Sequence, residues 1–272
     1  RRYSTSFSAG IKAFDPSIRA PIYAIYGFVR FADEIVDTFH DFPQATLFYK
    51  FKEDTWHAID EGISLNPVLN AFQEVVNAYN IDKALITAFL DSMEMDLTRQ
   101  AYDDDGYDQY IYGSAEVVGL MCLYVFCNGN PDQYAKLKDS ARSLGAAFQK
   151  INFLRDLKSD FEERGRVYFP GVDFLQFTAA DKLKIEQDIL TDFQEGYKGI
   201  LQLPATSRFG VYLAYVYYFS LFKKKKQGRN KDIRQGLGKY YLKHPGKLLL
   251  RLQSLFKDGF TNKYLIVIFE KK

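Results

Sequence analysis

Tyr26, Arg30, Asp33 and Asp37 fall at offsets 0, 4, 7 and 11 within an apolar stretch. On a helix, side chains at those offsets share one face. A second run, Gln149, Asn152, Asp156 and Asp160, falls at offsets 0, 3, 7 and 11. Each run presents two carboxylates one turn apart. A diphosphate leaving group is polyanionic, and carboxylates alone would repel it. Carboxylates holding Mg²⁺ reverse the local field, because the cation keeps coordination positions for phosphate oxygens. The metal would then act as a Lewis acid on the departing diphosphate. Arg30 adds a guanidinium suited to bidentate phosphate contact. One Asp-x-x-x-Asp pair is common on solvated helices. Two stripes accompanied by phenol, guanidinium and amide groups are less expected from a surface that only solubilises.

The elements that must carry these stripes read as helices. Apolar residues Ile18, Ile22, Ile25, Val29, Ala32 and Val36 recur at helical spacing over about Ser17–Thr38, after an Asp15-Pro16 start signal. Further helices are predicted over about Gln44–Ile63, Val68–Tyr79, Lys83–Tyr102, Tyr107–Cys127, Gln133–Phe161, Ala179–Gln202 and Phe209–Lys226. Asp103-Asp104-Asp105-Gly106 reads as a turn. Asp91 and Asp96, five apart, do not share a helical face well and read as structural. There is no fixed-period repeat, linker or strand alternation, so the expectation is an all-α, single-domain bundle over residues 1–272, with residues 223–272 a basic tail.

Composition excludes several classes. Hydrophobic residues are 47% and aromatics 17% of 272 residues, enough for a large core and too many for disorder. The net charge of +2 and the absence of a recognition motif argue against nucleic-acid binding. His40, His57 and His244 lack metal-ligand spacing. Two cysteines, Cys122 and Cys127, point to a reducing compartment. The polar start shows no signal peptide, and no apolar run is long enough to span a bilayer, so the expectation is a cytoplasmic protein. Lys223–Lys226 follow Tyr217, Tyr218, Phe219 and Phe222. That segment reads equally as a solvated helix or as a peripheral contact with anionic lipid at the inner face of the membrane.

The residues resemble the squalene and phytoene synthase family, head-to-head trans-isoprenyl diphosphate synthases of the isoprenoid synthase fold. Ser4-Thr5-Ser6-Phe7, Ala24-Ile25-Tyr26 and Arg30 through Asp37 are similar to the family's SxSF, AxY and RxxDDxxD runs. Ala141-Arg142-Ser143-Leu144-Gly145, Gln149 through Asp160, and Arg164 through Pro170 match its ARxLGxxxQxxNxxRDxxxDxxxGRxYxP signature. Tyr110 through Gly119 is like YxYxVAGxVG.

The resemblance implies a bundle with a central cavity, carboxylate stripes near its mouth and apolar tunnels for prenyl tails. It implies Asp33, Asp37, Asn152, Asp156 and Asp160 as magnesium ligands or their neighbours, with Mn²⁺ as an alternative cation. Tyr26, Arg30, Gln149 and Arg155 would contact diphosphate, and Tyr3, Ser4, Thr5 and Ser6 the second diphosphate. Tyr110 would stand at the reacting centre. Tyr212 would match a late diphosphate-contacting tyrosine, and Arg234 or Arg229 a late arginine. Arg164 and Arg166 read equally as loop charges or as a closure over phosphate. Two departures stand out: Glu34 where Asp is usual, and Glu116 in place of the glycine of AGxVG.

The implied reaction joins two allylic diphosphates through a cyclopropyl diphosphate. The Gly165–Pro170 run and the lack of a C-terminal anchor resemble the phytoene branch, with geranylgeranyl diphosphate as substrate and no NADPH. The alternatives are dehydrosqualene or squalene synthesis from farnesyl diphosphate, and a non-catalytic relative serving binding or assembly. The last is disfavoured by the intact Asp33, Asp37, Asp156 and Asp160.

Overall fold

The computed structural model of the chain describes residues 10–98, 104–164 and 178–226, with side chains for 10–97, 106–155 and 178–223. Those residues are helical or in short connections, with no strand among them. In chain order the helices are α1 (Pro16–Thr38), α2 (Gln44–Glu61), α3 (Pro67–Tyr79), α4 (Lys83–Thr98) and α5 (Asp104–Ile111). A π-helical turn, Tyr112–Glu116, leads into α6 (Val117–Phe126). Then come α7 (Pro131–Arg164), α8 (Ala179–Ile200) and α9 (Ala205–Lys226). The helices through Phe222 form one compact unit.

Local chemistry sets the helix ends. Asp15 accepts the Ser17 amide at 3.0 Å and Pro16 opens α1. Asn66 accepts the amides of Val68 and Leu69, with Pro67 as the first residue of α3. Gly62 closes α2 at φ +71°, a left-handed conformation that a Cβ would strain. Thr178 and Asp181 cap α8 reciprocally.

The apolar face of α1 is Ile18, Ile22, Ile25, Phe28, Ala32, Ile35 and Val36, all buried. Phe28 is fully buried and stacks on Phe72 of α3 at 3.8 Å between centroids, with Phe51 of α2 and Phe89 of α4 at 5.6 and 5.3 Å. One ring thus ties together four helices two residues before Arg30. Burial of such a side chain contributes about 2–3 kcal/mol, which holds the stripe at a fixed rotation about the α1 axis. Helix α6 packs against both α1 and α7, the two stripe-bearing helices, and the π-helical turn packs against α4 and α7.

Several boundaries differ from the sequence expectation. Asp104-Asp105-Gly106 is the first turn of α5 and not a loop; acidic residues suit a helix N-terminus, where amide dipoles converge. Helix α7 begins at Pro131, ahead of the expected Gln133, because Asn130 Oδ1 accepts the Gln133 amide. Helix α9 begins at Ala205, directly after Pro204 and ahead of the expected Phe209. The stretch read as one helix over Tyr107–Cys127 is interrupted by the π-helical turn, marked by the Val117 amide bonding the Tyr112 carbonyl.

Candidate active site

Arg30 is the hub of the first stripe. One terminal nitrogen of its guanidinium donates to Asp33, and the other donates to Glu34 Oε2 at 2.5 Å. All three side chains are part-buried. Glu34, the departure from the family's usual aspartate, therefore remains within the charged cluster. Tyr26 and Asp37 are also half-buried on this helix, and Tyr26 packs against the core. The cluster unites a guanidinium with carboxylates, the pairing needed to bind a polyanion together with cations.

On the second stripe, Asn152 Nδ2 donates to Gln149 Oε1 at 3.3 Å. This fixes the amide with its oxygen turned the other way. Asn152 Oδ1 is buried and has no hydrogen-bond partner in the protein. An unpartnered buried carbonyl oxygen is costly, about 1–3 kcal/mol, so such an atom points to a ligand. An amide oxygen is a hard donor of the kind Mg²⁺ takes. Arg155 lies exposed one turn on. The side chains of Asp156, Asp160 and Arg164, and the whole of Tyr3, Ser4, Thr5, Ser6, Arg166, Arg229 and Arg234, lie outside the described residues. Among the described residues, no group of three or more His, Cys, Asp or Glu forms a metal cluster.

Tyr110 is 6% exposed near the end of α5. Its hydroxyl donates to Asp96 Oδ2 on α4 at 2.9 Å, and its ring stacks on Phe153 of α7 at 6.0 Å. The reacting-centre candidate is thus held from two sides, one contact coming from the residue beside Asn152. Asp96, read as structural from its spacing to Asp91, touches the candidate catalytic tyrosine; Asp91 instead pairs with Lys52 of α2 at 2.8 Å. Only an expectation of contact between positions 96 and 110 could have found Asp96, and helical periodicity supplies none across the α4–α5 connection. Tyr212 is buried on α9 beside Tyr197 and Tyr215, at 6.4 and 6.1 Å between ring centroids.

Two further features went unread in the sequence. Lys150 is 8% exposed and bridges to α8, donating to Asp188 at 2.5 Å and Asp192 at 2.7 Å. Burial would lower its pKa, but the two carboxylates outweigh it and hold the ammonium above its ordinary value. Glu116 accepts from Arg142 Nε at 2.7 Å. That bond holds the guanidinium above its already high pKa, despite burial. A pocket of about 320 Å³ is lined by Glu116, Arg142, Ser143, Lys150 and Asp192 among others; none of the stripe residues with described side chains lines it.

Comparison with known proteins gives the family and the fold. The family model for squalene/phytoene synthase matches residues 1–227. Phytoene synthase 1 of Solanum lycopersicum is 29% identical over 240 residues, 79% of this chain and 57% of that protein. The chain therefore spans little more than half of that relative's length. The 15-cis-phytoene synthase of Synechocystis is 29% identical over 245 residues, covering 80% of this chain and 71% of its own. The 4,4'-diapophytoene synthase of Staphylococcus haemolyticus is 26% identical over 196 residues, 70% of this chain and 66% of its own. Among solved structures, a dehydrosqualene synthase superposes with a TM-score of 0.79 at 20% identity, covering 95% of this chain and 94% of its own. Squalene synthase HpnC of Alicyclobacillus acidocaldarius gives 0.72 at 18% identity, over 85% and 92%. With the family model covering most of the length, and the bundle shared with these synthases, the chain belongs to the squalene/phytoene synthase family.

Proposed function

We propose that this protein condenses two allylic prenyl diphosphates head to head, making phytoene from two molecules of geranylgeranyl diphosphate by way of a cyclopropyl diphosphate. The observation that carries the reading is the buried, unpartnered Asn152 Oδ1, on the same helix as Asp156 and Asp160. It supports a cation site: Asn152, Asp156 and Asp160 from α7, and Asp33 and Asp37 from α1, would hold Mg²⁺. Bound Mg²⁺ would supply Lewis acidity to the leaving diphosphate.

The remaining work falls to the chain's own groups. Arg30, already between Asp33 and Glu34, would share its guanidinium with diphosphate oxygens, which offer a similar bidentate geometry. Gln149, bonded to Asn152, would orient the amide oxygen and present its own amide to phosphate. The Tyr110 phenol donates to Asp96, and a phenol so bonded carries added electron density on oxygen. That polarity suits a neighbouring carbon as it becomes positive. Apolar packing around Tyr110, including Phe153, Ile111 and Met95, would exclude water from a reactive cation.

The test is product identification. The protein is incubated with Mg²⁺ and either geranylgeranyl or farnesyl diphosphate, with and without NADPH, and the hydrocarbon is identified by mass. Phytoene from the C20 substrate without NADPH is the expected result. Hydrocarbon from farnesyl diphosphate alone would move the assignment to dehydrosqualene or squalene synthesis. No hydrocarbon from either would refute the catalytic reading.

A further inference from the structure

The π-helical turn joins the helix that carries Tyr110 to α6, and its two ends meet the same side chain. Arg142 of α7 donates from Nε to Glu116, the last residue of the turn, at 2.7 Å. Its guanidinium carbon lies 5.3 Å over the ring of Tyr112, the first residue of the turn. Three residues on, α7 presents Gly145, where a Cβ would stand 2.8 Å from the Ala115 carbonyl oxygen and 3.0 Å from Glu116 Cα. The opposite side is as tight: a Cβ on Gly113 would meet the Ala88 carbonyl oxygen of α4 at 2.5 Å. The turn is therefore clamped between α4 and α7, and Arg142 bridges its ends.

A π-turn inserts one residue into a helix and rotates everything before it relative to everything after it. The competing arrangement is an uninterrupted α-helix, in which the α5 side chains would be turned by about 100° relative to α6. Tyr110 lies two residues before the turn, and such a rotation would carry its hydroxyl from Asp96 and its ring from Phe153. Glu116 stands where the family pattern has glycine. Its side chain is 14% exposed, and a carboxylate so placed needs a partner. Arg142 is that partner, and its planar guanidinium can stack on a ring while bonding in its own plane.

We propose that Arg142 and Glu116 are positioning residues: one guanidinium joins the first and last residues of the π-helical turn and so fixes the register in which Tyr110 meets α4 and α7. The catalytic consequence rests on the function proposed above; the structural one does not.

The test uses the full chain with Arg142→Met, and Arg142→Met combined with Glu116→Gln so that no buried carboxylate is stranded. Amide hydrogen exchange is followed on peptides covering residues 110–118, with α8 as the internal control. The expected result is exchange about ten-fold faster across the turn in both variants, with α8 unchanged. Unchanged exchange across the turn would overturn the proposal, as would equal acceleration throughout the protein. A second readout is coupling to Tyr110. Tyr110→Phe should cut kcat by at least about ten-fold in the parent, yet by less than about three-fold in the Arg142→Met background, with KM little moved. Equal effects in the two backgrounds would break the link to Tyr110. If the parent makes no hydrocarbon, the functional reading fails and the exchange result alone decides the positioning claim.

Discussion

Replacing Asn152 by leucine separates a ligand from a structural group. The buried Oδ1 without a partner costs about 1–3 kcal/mol, and leucine of similar volume removes that cost. The substitution loses the 3.3 Å bond from Nδ2 to Gln149, a long bond contributing about 0.5 kcal/mol. Helix propensity favours leucine by about 0.4 kcal/mol. The balance is a stabilisation of about 1–3 kcal/mol, or about 2–6 °C in Tm at this chain length. Turnover should fall by about 100-fold or more, the usual effect of deleting one preorganised electrostatic contact to developing charge. The assay pairs calorimetry in metal-free buffer with hydrocarbon formation in Mg²⁺. The diagnostic signature is a variant that is more stable and less active, as expected when a site retains an unfavourable group for function. A Tm gain no greater than about 1 °C would be propensity alone. A loss of several degrees, or normal turnover, would refute the assignment of Asn152 as a ligand.

Two other expectations concern packing and reactivity. Gly27 and Gly145 both lie inside helices, but a Cβ at Gly27 meets only Val68 Cγ1 at 3.8 Å, whereas at Gly145 it meets backbone of the π-helical turn. Calorimetry should show Gly27→Ala stabilising by about 0.5–1 kcal/mol and Gly145→Ala destabilising by about 1–3 kcal/mol; the same sign at both positions would contradict the packing described. Burial pushes the Cys122 thiol up to about 12 and Cys127 up to about 11, so little thiolate exists near pH 8. A chromogenic disulfide reagent should therefore react slowly with both thiols in the native protein, and rapid labelling of Cys127, 3% exposed, would count against its burial.

What could be read in the sequence follows from the range of the interactions involved. The ends of α1, α3 and α8 depend on caps within three residues, and the Arg30–Asp33–Glu34 cluster on spacings of three and four. Local signals of that kind are visible in a single chain. The π-helical turn was not, because Val117–Phe126 is apolar on every side and its hydropathy has no phase from which an inserted residue could be noticed. Asp104–Gly106 was misread because aspartate and glycine favour turns as well as helix starts. Lys150 reaching Asp188 and Asp192, and Tyr110 reaching Asp96, join residues on different helices. Periodicity fixes the face of each helix but not which faces meet. The orphaned oxygen of Asn152 was invisible for the same reason, although the position itself was marked by its place in the stripe.

In the proposed reaction both stripes act on the leaving diphosphate through divalent cations. Thermal stabilisation by Mg²⁺ and inorganic pyrophosphate, each alone and together, tests this most directly. Together, at about 100 times the dissociation constant, they should stabilise the protein by about 2.7 kcal/mol, and each alone by far less. Asp33→Asn and Asp156→Asn should each abolish the joint effect while leaving the unliganded Tm nearly unchanged. Stabilisation by pyrophosphate that is indifferent to Mg²⁺, or that survives in either variant, would contradict the account.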